Sequence, residues 1–448
     1  MKILIAVLWV CLTLVLTYLP AQDNFPTIAL GYTGLFGLYL VSYRVFRKHS
    51  DVLLLIFLGV FLRALTLFAF PNLSDDIYRF LWDGHLINDG INPFLFTPTE
   101  WMGRDPGAGI YSELYPKLNS PEYYSVYPPV CQILFAAATK LFPLSAYWAS
   151  VFLKLVFLIA EVGTVYILMK FVQQVGLPLK RVLLYALNPL IIIELMGNLH
   201  FECIMIFFLV AALWFYARKR FWIFGLLFGL SILTKLLPLM FLPFFIRRTP
   251  FKKLIISFSI IAAVISLGFL PFINQAVIGK FGSSLDLYFR KFEFNASFYY
   301  LAREFGFAWK GFNMIATIGP RLSVLTLIII IGLMLREDKM SITSLTKNCL
   351  LAFTTYLLLT TTVHPWYLAT PIVLCIFTHF RYPLFWSGLI TLTYINYWGG
   401  DYHERMGVVV IEYAIVMTIL YLEAFRVPLV KKMALNFLRF FRTIGGKN

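Results

Sequence analysis

The stretch "VLLLIFLGVFLRALTLFAFPNLSDDIYRFLWDG", residues 52–84, joins two different kinds of chain. Its first half is an apolar run with one charged residue, Arg63, and it is about as long as a membrane-spanning helix. Two adjacent carboxylates, Asp75 and Asp76, come directly after this run. Ionisable groups at a membrane edge are costly, so they are candidates for function. The simpler alternative for Asp75 is the N-cap of an interfacial helix.

The composition extends the apolar character to the whole chain. Its 448 residues are 60% hydrophobic and only 13% charged, whereas a soluble domain is about half apolar and about a quarter charged. We therefore predict an all-α polytopic membrane protein. The net charge of +16 is typical of basic cytoplasmic loops that face anionic lipid, and we expect no nucleic-acid partner. The five cysteines show neither metal spacing nor a disulfide framework.

Basic loops alternate with segments poor in basic residues, and this alternation predicts the topology. Cytoplasmic loops carry an excess of Lys and Arg. The basic segments, predicted to be cytoplasmic, are 44–49, 178–181, 217–220, 247–253, 336–339 and the tail from Arg426. The segments predicted to face outward are 21–26, 71–128, 197–202, 272–311, 364–366 and 399–405.

If residues 129–143 crossed the membrane fully, every later basic loop would face outward. Keeping these loops in the cytoplasm therefore requires two irregular segments. We interpret 129–143 as a juxtamembrane helix on the outer face, and 221–247 as a hairpin with Lys235 at its outer apex. These choices predict about 14 crossings with both termini in the cytoplasm. We expect one membrane-embedded domain over residues 1–448. Its parts are a first large outer loop at 71–128, a second at 272–311 and a basic cytoplasmic tail at 426–448.

The first outer loop carries an ordered set of short motifs. They are Asp-Asp-x-Tyr-Arg-Phe from Asp75, Trp82-Asp83-Gly84, Gly90-x-Asn92-Pro93-Phe94 and Tyr127-Pro128-Pro129. This order resembles the first outer loop of the GT-C superfamily, the multi-spanning glycosyltransferases that use polyprenyl-phosphate sugars or related lipid-linked donors. The resemblance is closest to the mannosyltransferase branch, both bacterial and glycosylphosphatidylinositol mannosyltransferase-like.

The resemblance aligns particular residues with the motif of that branch. Asp75 falls on the first Asp, Tyr78 on the Tyr and Asp83 on the later Asp. The second Asp of the motif falls on Ile77, beside Asp76. No cofactor is therefore implied with certainty, and the use of a divalent metal is left open.

Three later parts of the chain agree with the same resemblance. Residues 188–202, "NPLIIIELMGNLHFE", are similar to an Asn-Pro helix and the turn that follows it in bacterial members. The segment "LTKLLPLMFLP" resembles a Lys-x-x-Pro hairpin, and residues 292–303 and 364–371 resemble later outer-loop elements. The implied fold is a GT-C-like bundle of about 12–14 transmembrane helices with outer-face juxtamembrane helices.

The implied activity is glycosyl transfer. The resemblance implies a hexose, most simply mannose, moved with inversion from a polyprenyl-phosphate donor to a lipid-linked or glycan acceptor. The partners are then this donor, the acceptor and membrane lipids. The implied location is the bacterial inner (cytoplasmic) membrane, with the active site on the periplasmic, outer face.

Glycosyl transfer needs a base for the acceptor proton and a counter-charge for the departing phosphate. We predict that Asp75 is the base and that Asp76 positions it or the acceptor. Lys235 either binds the phosphate or extends to the interface, and His364 is either a ligand or an interfacial residue. The other predicted donor-phosphate or substrate residues are Tyr78, Arg79, His200, Glu202 and Arg290. Arg290 could instead meet a lipid head group.

Lys154 and Glu161 lie seven residues apart on one span, which places both on one helix face. We interpret them as a structural ion pair inside the bundle.

Three other functions compete with a glycosyltransferase. A transporter predicts charged residues in mid-span and internal repeats, whereas the acidic and aromatic residues here gather on one outer face. An O-antigen ligase, a polymerase or a phosphotransferase is a second alternative, although a ligase favours a long outer loop late in the chain. A membrane scaffold leaves the Asp pair unexplained.

The predicted topology can be tested with reporter fusions. Fusions after Arg104 and after Arg220 should give opposite signals, because the first site is predicted to be outside and the second inside. Equal signals at the two sites would contradict the topology and the outer placement of Asp75.

Overall fold

A computed structural model describes residues 2–104, 107, 109–273, 292–337, 340–400 and 402–425. The described residues form helices and no strand, and Phe294 and Thr362 form an isolated parallel bridge. The predicted all-α class is confirmed. The tail 426–448 and residues 274–291 of the second outer loop, including Arg290, lie outside the described residues.

Nineteen α-helices can be numbered along the described residues. The first nine are α1 (Lys2–Tyr18), α2 (Phe25–Val45), α3 (His49–Leu65), α4 (Asp76–Asn88), α5 (Pro98–Met102), α6 (Ile110–Leu114), α7 (Pro129–Leu141), α8 (Ala146–Gln174) and α9 (Leu183–Ala186). The next ten are α10 (Glu202–Ala217), α11 (Phe221–Thr234), α12 (Pro243–Ile246), α13 (Phe251–Phe269), α14 (Phe298–Lys310), α15 (Ile315–Leu335), α16 (Ile342–Leu359), α17 (Ala369–Cys375), α18 (Tyr382–Leu389) and α19 (Met406–Ala424). A π-helix covers Ile191–Gly197. Short 3₁₀ segments lie at Tyr115–Lys117, Leu179–Val182, Leu237–Phe241, Leu270–Phe272, Pro365–Leu368 and Ile390–Tyr397.

Local sequence explains where several of these helices begin. The Asn24 side chain accepts a hydrogen bond from the backbone of Thr27 at the start of α2. Thr97 and Glu100 form a reciprocal capping box at α5. Ser145 caps α8 through the backbone of Trp148. Each cap satisfies a backbone N–H that has no partner within its helix.

Six described helices are long and apolar enough to cross a membrane, or seven if one bent pair counts as a single span. The chain is therefore a multi-pass membrane protein. The predicted number of crossings, 12–14, is larger than the number of these long helices, so shorter apolar helices such as α1 and α11 would have to supply the rest. The count from sequence rested on the lengths of the apolar runs, whereas the structure divides some of these runs into shorter helices. The run 221–247 breaks at Lys235, where the hairpin was predicted.

The bent pair consists of the π-helix and α10, whose axes differ by 114°. Leu199, in the turn between them, is fully buried and has a left-handed φ of +62°. A bulky side chain rarely adopts this conformation. Broken helices in membrane proteins often border binding sites. Glu202, at the start of α10, lines one of the two cavities described below, and His200 stacks on Trp366, which lines the other.

A fully buried ion pair joins α3 to α8. Arg63 Nε lies 2.7 Å from Glu161 Oε2, and neither side chain is exposed. Arg63 Nη1 also donates to the carbonyls of Gly59 and Ala186, and the Tyr185 hydroxyl donates to Glu161. These partners satisfy both charges away from water.

The predicted pairing of Lys154 with Glu161 is wrong. Lys154 Nζ instead donates to the backbone carbonyls of Thr66, Ala69 and Gly197. The spacing correctly puts both residues on one helix face. It cannot show that α3 brings a second cation, Arg63, to the carboxylate.

Replacing Arg63 by Met should cost about 3–5 kcal/mol of unfolding free energy, because it leaves Glu161 buried without a cation. The unfolding midpoint of the detergent-purified protein measures this cost. The matched control is Lys2→Met, which removes the pair with Asp51. Lys2 is 52% exposed, so its loss should cost at most about 1 kcal/mol. Equal losses in the two variants would contradict a structural role for the Arg63–Glu161 pair.

Candidate active site

Helix α4 carries the two adjacent carboxylates of the first outer loop. It begins at Asp76, with Asp75 at the N-cap position. Further along α4, Asp83 is fully buried and accepts hydrogen bonds from Arg79 Nε at 2.8 Å and Gln132 Nε2 at 2.9 Å. The Ser125 hydroxyl also donates to it. Asp83 therefore joins α4 to α7 and to the extended chain between them, and it fixes the place of the α4 N-terminus.

Gly84 explains how closely α4 and α7 pack. A Cβ at this position would lie 2.4 Å from the backbone oxygen of Phe135 in α7, so only glycine permits this approach. The Trp82-Asp83-Gly84 motif thus places a buried hydrogen-bond acceptor beside a point of close helix contact.

A polar cavity of about 270 Å³ opens at the N-terminus of α4. Five predicted site residues from three distant parts of the sequence line it: Asp75, Asp76, Arg79, Lys235 and His364. The other lining residues are Gln22, Leu73, Ser74, Asn119, Ser120, Tyr123, Tyr124, Val126, Tyr127, Phe292, Phe294, Pro365, Trp366, Tyr367, Thr393, Tyr394 and Tyr397. The cavity has aromatic walls and carries both acidic and basic groups.

The two acids differ in their partners. Asp76 Oδ2 accepts a hydrogen bond from the Tyr127 hydroxyl at 3.0 Å, and Oδ1 accepts one from Asn119 at 3.4 Å. Asp75 occupies the N-cap position, but its side chain caps no backbone N–H. Partial burial and, after it, the negative charge of Asp76 raise the pKa of Asp75. A carboxylate that lines a cavity and has a raised pKa suits proton abstraction.

Lys235 lies at the end of α11, where the chain turns extended. Its Nζ is 3.2 Å from Glu202 Oε1 and 5.3 Å from the centre of the Tyr127 ring. The side chain is 21% exposed. Lys235 lines two cavities. A lysine that only extends to the membrane interface would not explain this position.

The second cavity, of about 400 Å³, adjoins the first. The two share Val126, Lys235 and Tyr367. Its walls are mainly aliphatic and come from residues 236–243, α15 and α16, with Glu202 beside Lys235. Among the described residues that line it, Lys235 is the one cation and Glu202 the one carboxylate.

His364 belongs to a stack of rings at the wall of the polar cavity. Its ring centre lies 4.7 Å from that of Phe294 and 4.5 Å from that of Trp366. Burial lowers the pKa of His364 to about 3, against the opposing effect of Asp76. His364 is therefore neutral near pH 7 and does not carry the positive charge that would make it a counter-charge for a phosphate.

Four further predicted residues have different surroundings. Arg79 uses Nε on Asp83 and Nη1 on the Tyr123 carbonyl. His200 stacks on Trp366 with ring centres 3.6 Å apart, outside the polar cavity. Tyr78 also lies outside the lining and packs near Phe70. Glu202 borders the apolar cavity.

Sequence reasoning assigned no role to two prominent residues of the site. Tyr127 contacts both Asp76 and Lys235, and its Tyr-Pro-Pro motif was the available signal. Trp366 separates His364 from His200 in the ring stack, and its place in "HPWYLATP" was the only indication. Asn119 had no sequence signal at all.

Within the described part of the chain, no group of three or more His, Cys, Asp or Glu side chains is placed to hold a metal ion. The use of a divalent metal by the enzyme stays an open question.

Comparison with known proteins finds one family. A sequence model described as "Alpha-(1->6)-mannopyranosyltransferase, N-terminal domain" matches residues 14–249, which is more than half of the 448 residues. The match includes α4, the Asp pair, Glu202 and Lys235, and it confirms the predicted resemblance to mannosyltransferases. A search of curated proteins finds no match.

The raised pKa of Asp75 predicts the pH dependence of the reaction. If Asp75 is the base, the rate should fall as pH drops through its pKa. Asp76→Asn removes a negative charge that raises this pKa, so the acidic limb of kcat/KM should move to lower pH. Asp89→Asn, in the same loop but held by Tyr111, is the control. An unmoved limb in Asp76→Asn would contradict the assignment.

Proposed function

We propose a donor, an acceptor and a mechanism for this chain, which belongs to the alpha-(1->6)-mannopyranosyltransferase family and is a glycosyltransferase. In this proposal it transfers mannose from a polyprenyl-phosphate donor to the 6-hydroxyl of a mannose residue in a lipid-linked or glycan acceptor. The family match supports the sugar and the linkage.

The observation that carries the donor assignment is the position of Lys235 at the junction of two unlike cavities. A polyprenyl-phosphate sugar has an apolar chain, a charged phosphate and a polar sugar in this order. The apolar cavity suits the prenyl chain, Lys235 suits the phosphate, and the polar cavity suits the sugar. A phosphate in such a low-dielectric setting needs a cation beside it.

The reaction is a single displacement. The acceptor hydroxyl loses its proton to Asp75 as its oxygen attacks the anomeric carbon. The bond from that carbon to the phosphate oxygen breaks, the electron pair stays on the phosphate, and the anomeric centre inverts. Lys235 stabilises the charge that develops on the phosphate.

The unequal partners of the acids support this division of roles. Asp76 is held by Tyr127 and Asn119, so it is suited to position the acceptor or Asp75. Asp75 faces the cavity with its carboxylate available for a proton. Neutral His364 would donate a hydrogen bond to the phosphate or sugar.

We infer that residues 1–448 act as one domain, since the polar cavity is lined by residues from Gln22 to Tyr397. Residues of the loop 71–128 line this cavity, and the pattern of basic segments predicts that this loop faces outward. This supports an active site on the outer face, which in a bacterium is the periplasmic face of the inner membrane.

Purified protein tests the donor and the base together. The native enzyme should transfer mannose from polyprenyl-phosphate mannose and should be inactive with a nucleotide-linked mannose. Asp75→Asn should reduce the rate about 10²- to 10⁴-fold, as is typical for loss of a general base, without weakening donor binding.

Asp89→Asn, which lies in the same loop outside the cavity lining, should retain the native rate. Turnover with the nucleotide sugar, in protein free of polyprenyl phosphate, would refute the donor class. Full activity of Asp75→Asn would refute the base.

A further inference from the structure

Glu202 is a buried carboxylate with few partners. It is 1% exposed, and within the described residues its carboxylate oxygens accept no hydrogen bond apart from the ionic contact with Lys235. Lys235 Nζ lies 3.2 Å from its Oε1. Glu202 is also the first residue of α10, where the helix dipole favours a negative charge.

This arrangement has an electrostatic consequence for any anion that binds Lys235. A buried ion pair is tolerable because each charge offsets the other, and loss of one partner is strongly unfavourable. An arriving phosphate must therefore share Lys235 with Glu202 or displace it. A carboxylate and a phosphate placed together on one ammonium also repel each other.

We propose that Glu202 is a competing anion for Lys235, which holds the lysine between turnovers and returns to it as the lipid phosphate departs. The inference rests on the proposed function, because it takes the lipid phosphate to be the group that Lys235 binds. Glu202 is on this view a positioning residue that acts through Lys235.

The charge change during the reaction explains why such a competitor is useful. The donor is a phosphodiester with one negative charge. The product is a phosphate monoester, whose charge at neutral pH is about −1.5 to −2. The product should therefore bind Lys235 more strongly than the donor does. Glu202 lowers the cost of product release, because Lys235 regains a partner when the phosphate leaves.

The main alternative is that Glu202 binds a sugar hydroxyl, as considered in the sequence analysis. It borders the apolar cavity and does not line the polar one. The two roles predict opposite effects of Glu202→Gln, since loss of a sugar contact weakens binding and loss of a competing anion strengthens it.

The experiment measures binding of a prenyl monophosphate and of the matching prenyl alcohol to the purified full-length protein. Glu202→Gln should bind the phosphate about tenfold more tightly than native protein, with unchanged affinity for the alcohol. In turnover, KM for the donor should fall and kcat should not rise, because product release slows. Glu202→Asp, whose carboxylate is one methylene shorter, should give an intermediate affinity.

Two further variants keep the result interpretable. Glu293→Gln breaks the outer-loop pair with Arg303, of 2.7 Å, outside both cavity linings, and should leave both affinities unchanged. Lys235→Met should reduce the affinity for the phosphate towards that for the alcohol.

Unchanged or weaker phosphate binding in Glu202→Gln, with the expected loss in Lys235→Met, would overturn this inference and leave the proposed function standing. If Glu202→Gln unfolds, Glu202→Asp decides by the same criterion. Native-like phosphate affinity in Lys235→Met would instead overturn the proposed donor site.

Discussion

The candidate active site depends on the burial of one carboxylate, Asp83. A fully buried charge is tolerated only with several hydrogen bonds, and Asp83 receives them from Arg79, Ser125 and Gln132. These donors belong to α4, to the extended chain and to α7. The three segments can therefore vary little in relative position without leaving a buried charge unsatisfied. Because α4 is held in this way, the position of Asp75 and Asp76 at its start is fixed as well.

The same constraint reaches the basic side of the site. Gln132 donates to the Tyr127 backbone carbonyl as well as to Asp83, and the Tyr127 hydroxyl donates to Asp76. The ring of Tyr127 also lies near Lys235. One tyrosine thus connects the acidic and basic walls of the polar cavity. In this geometry the side chain of Asp76 is held by hydrogen bonds, which favours Asp75 as the base in the proposed reaction.

Hydrophobic runs and basic loops predicted the helical membrane fold, because burial in lipid imposes simple patterns on sequence. The motif order also predicted that Asp75, Asp76, Lys235 and His364 converge. Pair partners were not predictable, since periodicity shows which face a residue occupies and not which helix packs there. Glu161, for example, was predicted to pair with Lys154 on its own helix, but it pairs with Arg63 in α3. Likewise, the sequence does not show that Phe294, seventy positions before His364, stacks on its ring and contributes to the burial that lowers the pKa of this histidine.

If the donor is an anionic lipid, as proposed above, the bound and the resting enzyme make opposite demands on Lys235. An unpaired charge is unfavourable at the place where this lysine would receive the phosphate, so it needs an anion when no phosphate is present. The same anion weakens phosphate binding when the lipid arrives. The Lys235–Glu202 pair meets both conditions because its carboxylate sits at a helix N-terminus, which lowers the cost of the negative charge while the lysine is engaged elsewhere. The break between the π-helix and α10 is what places that terminus beside the cavity.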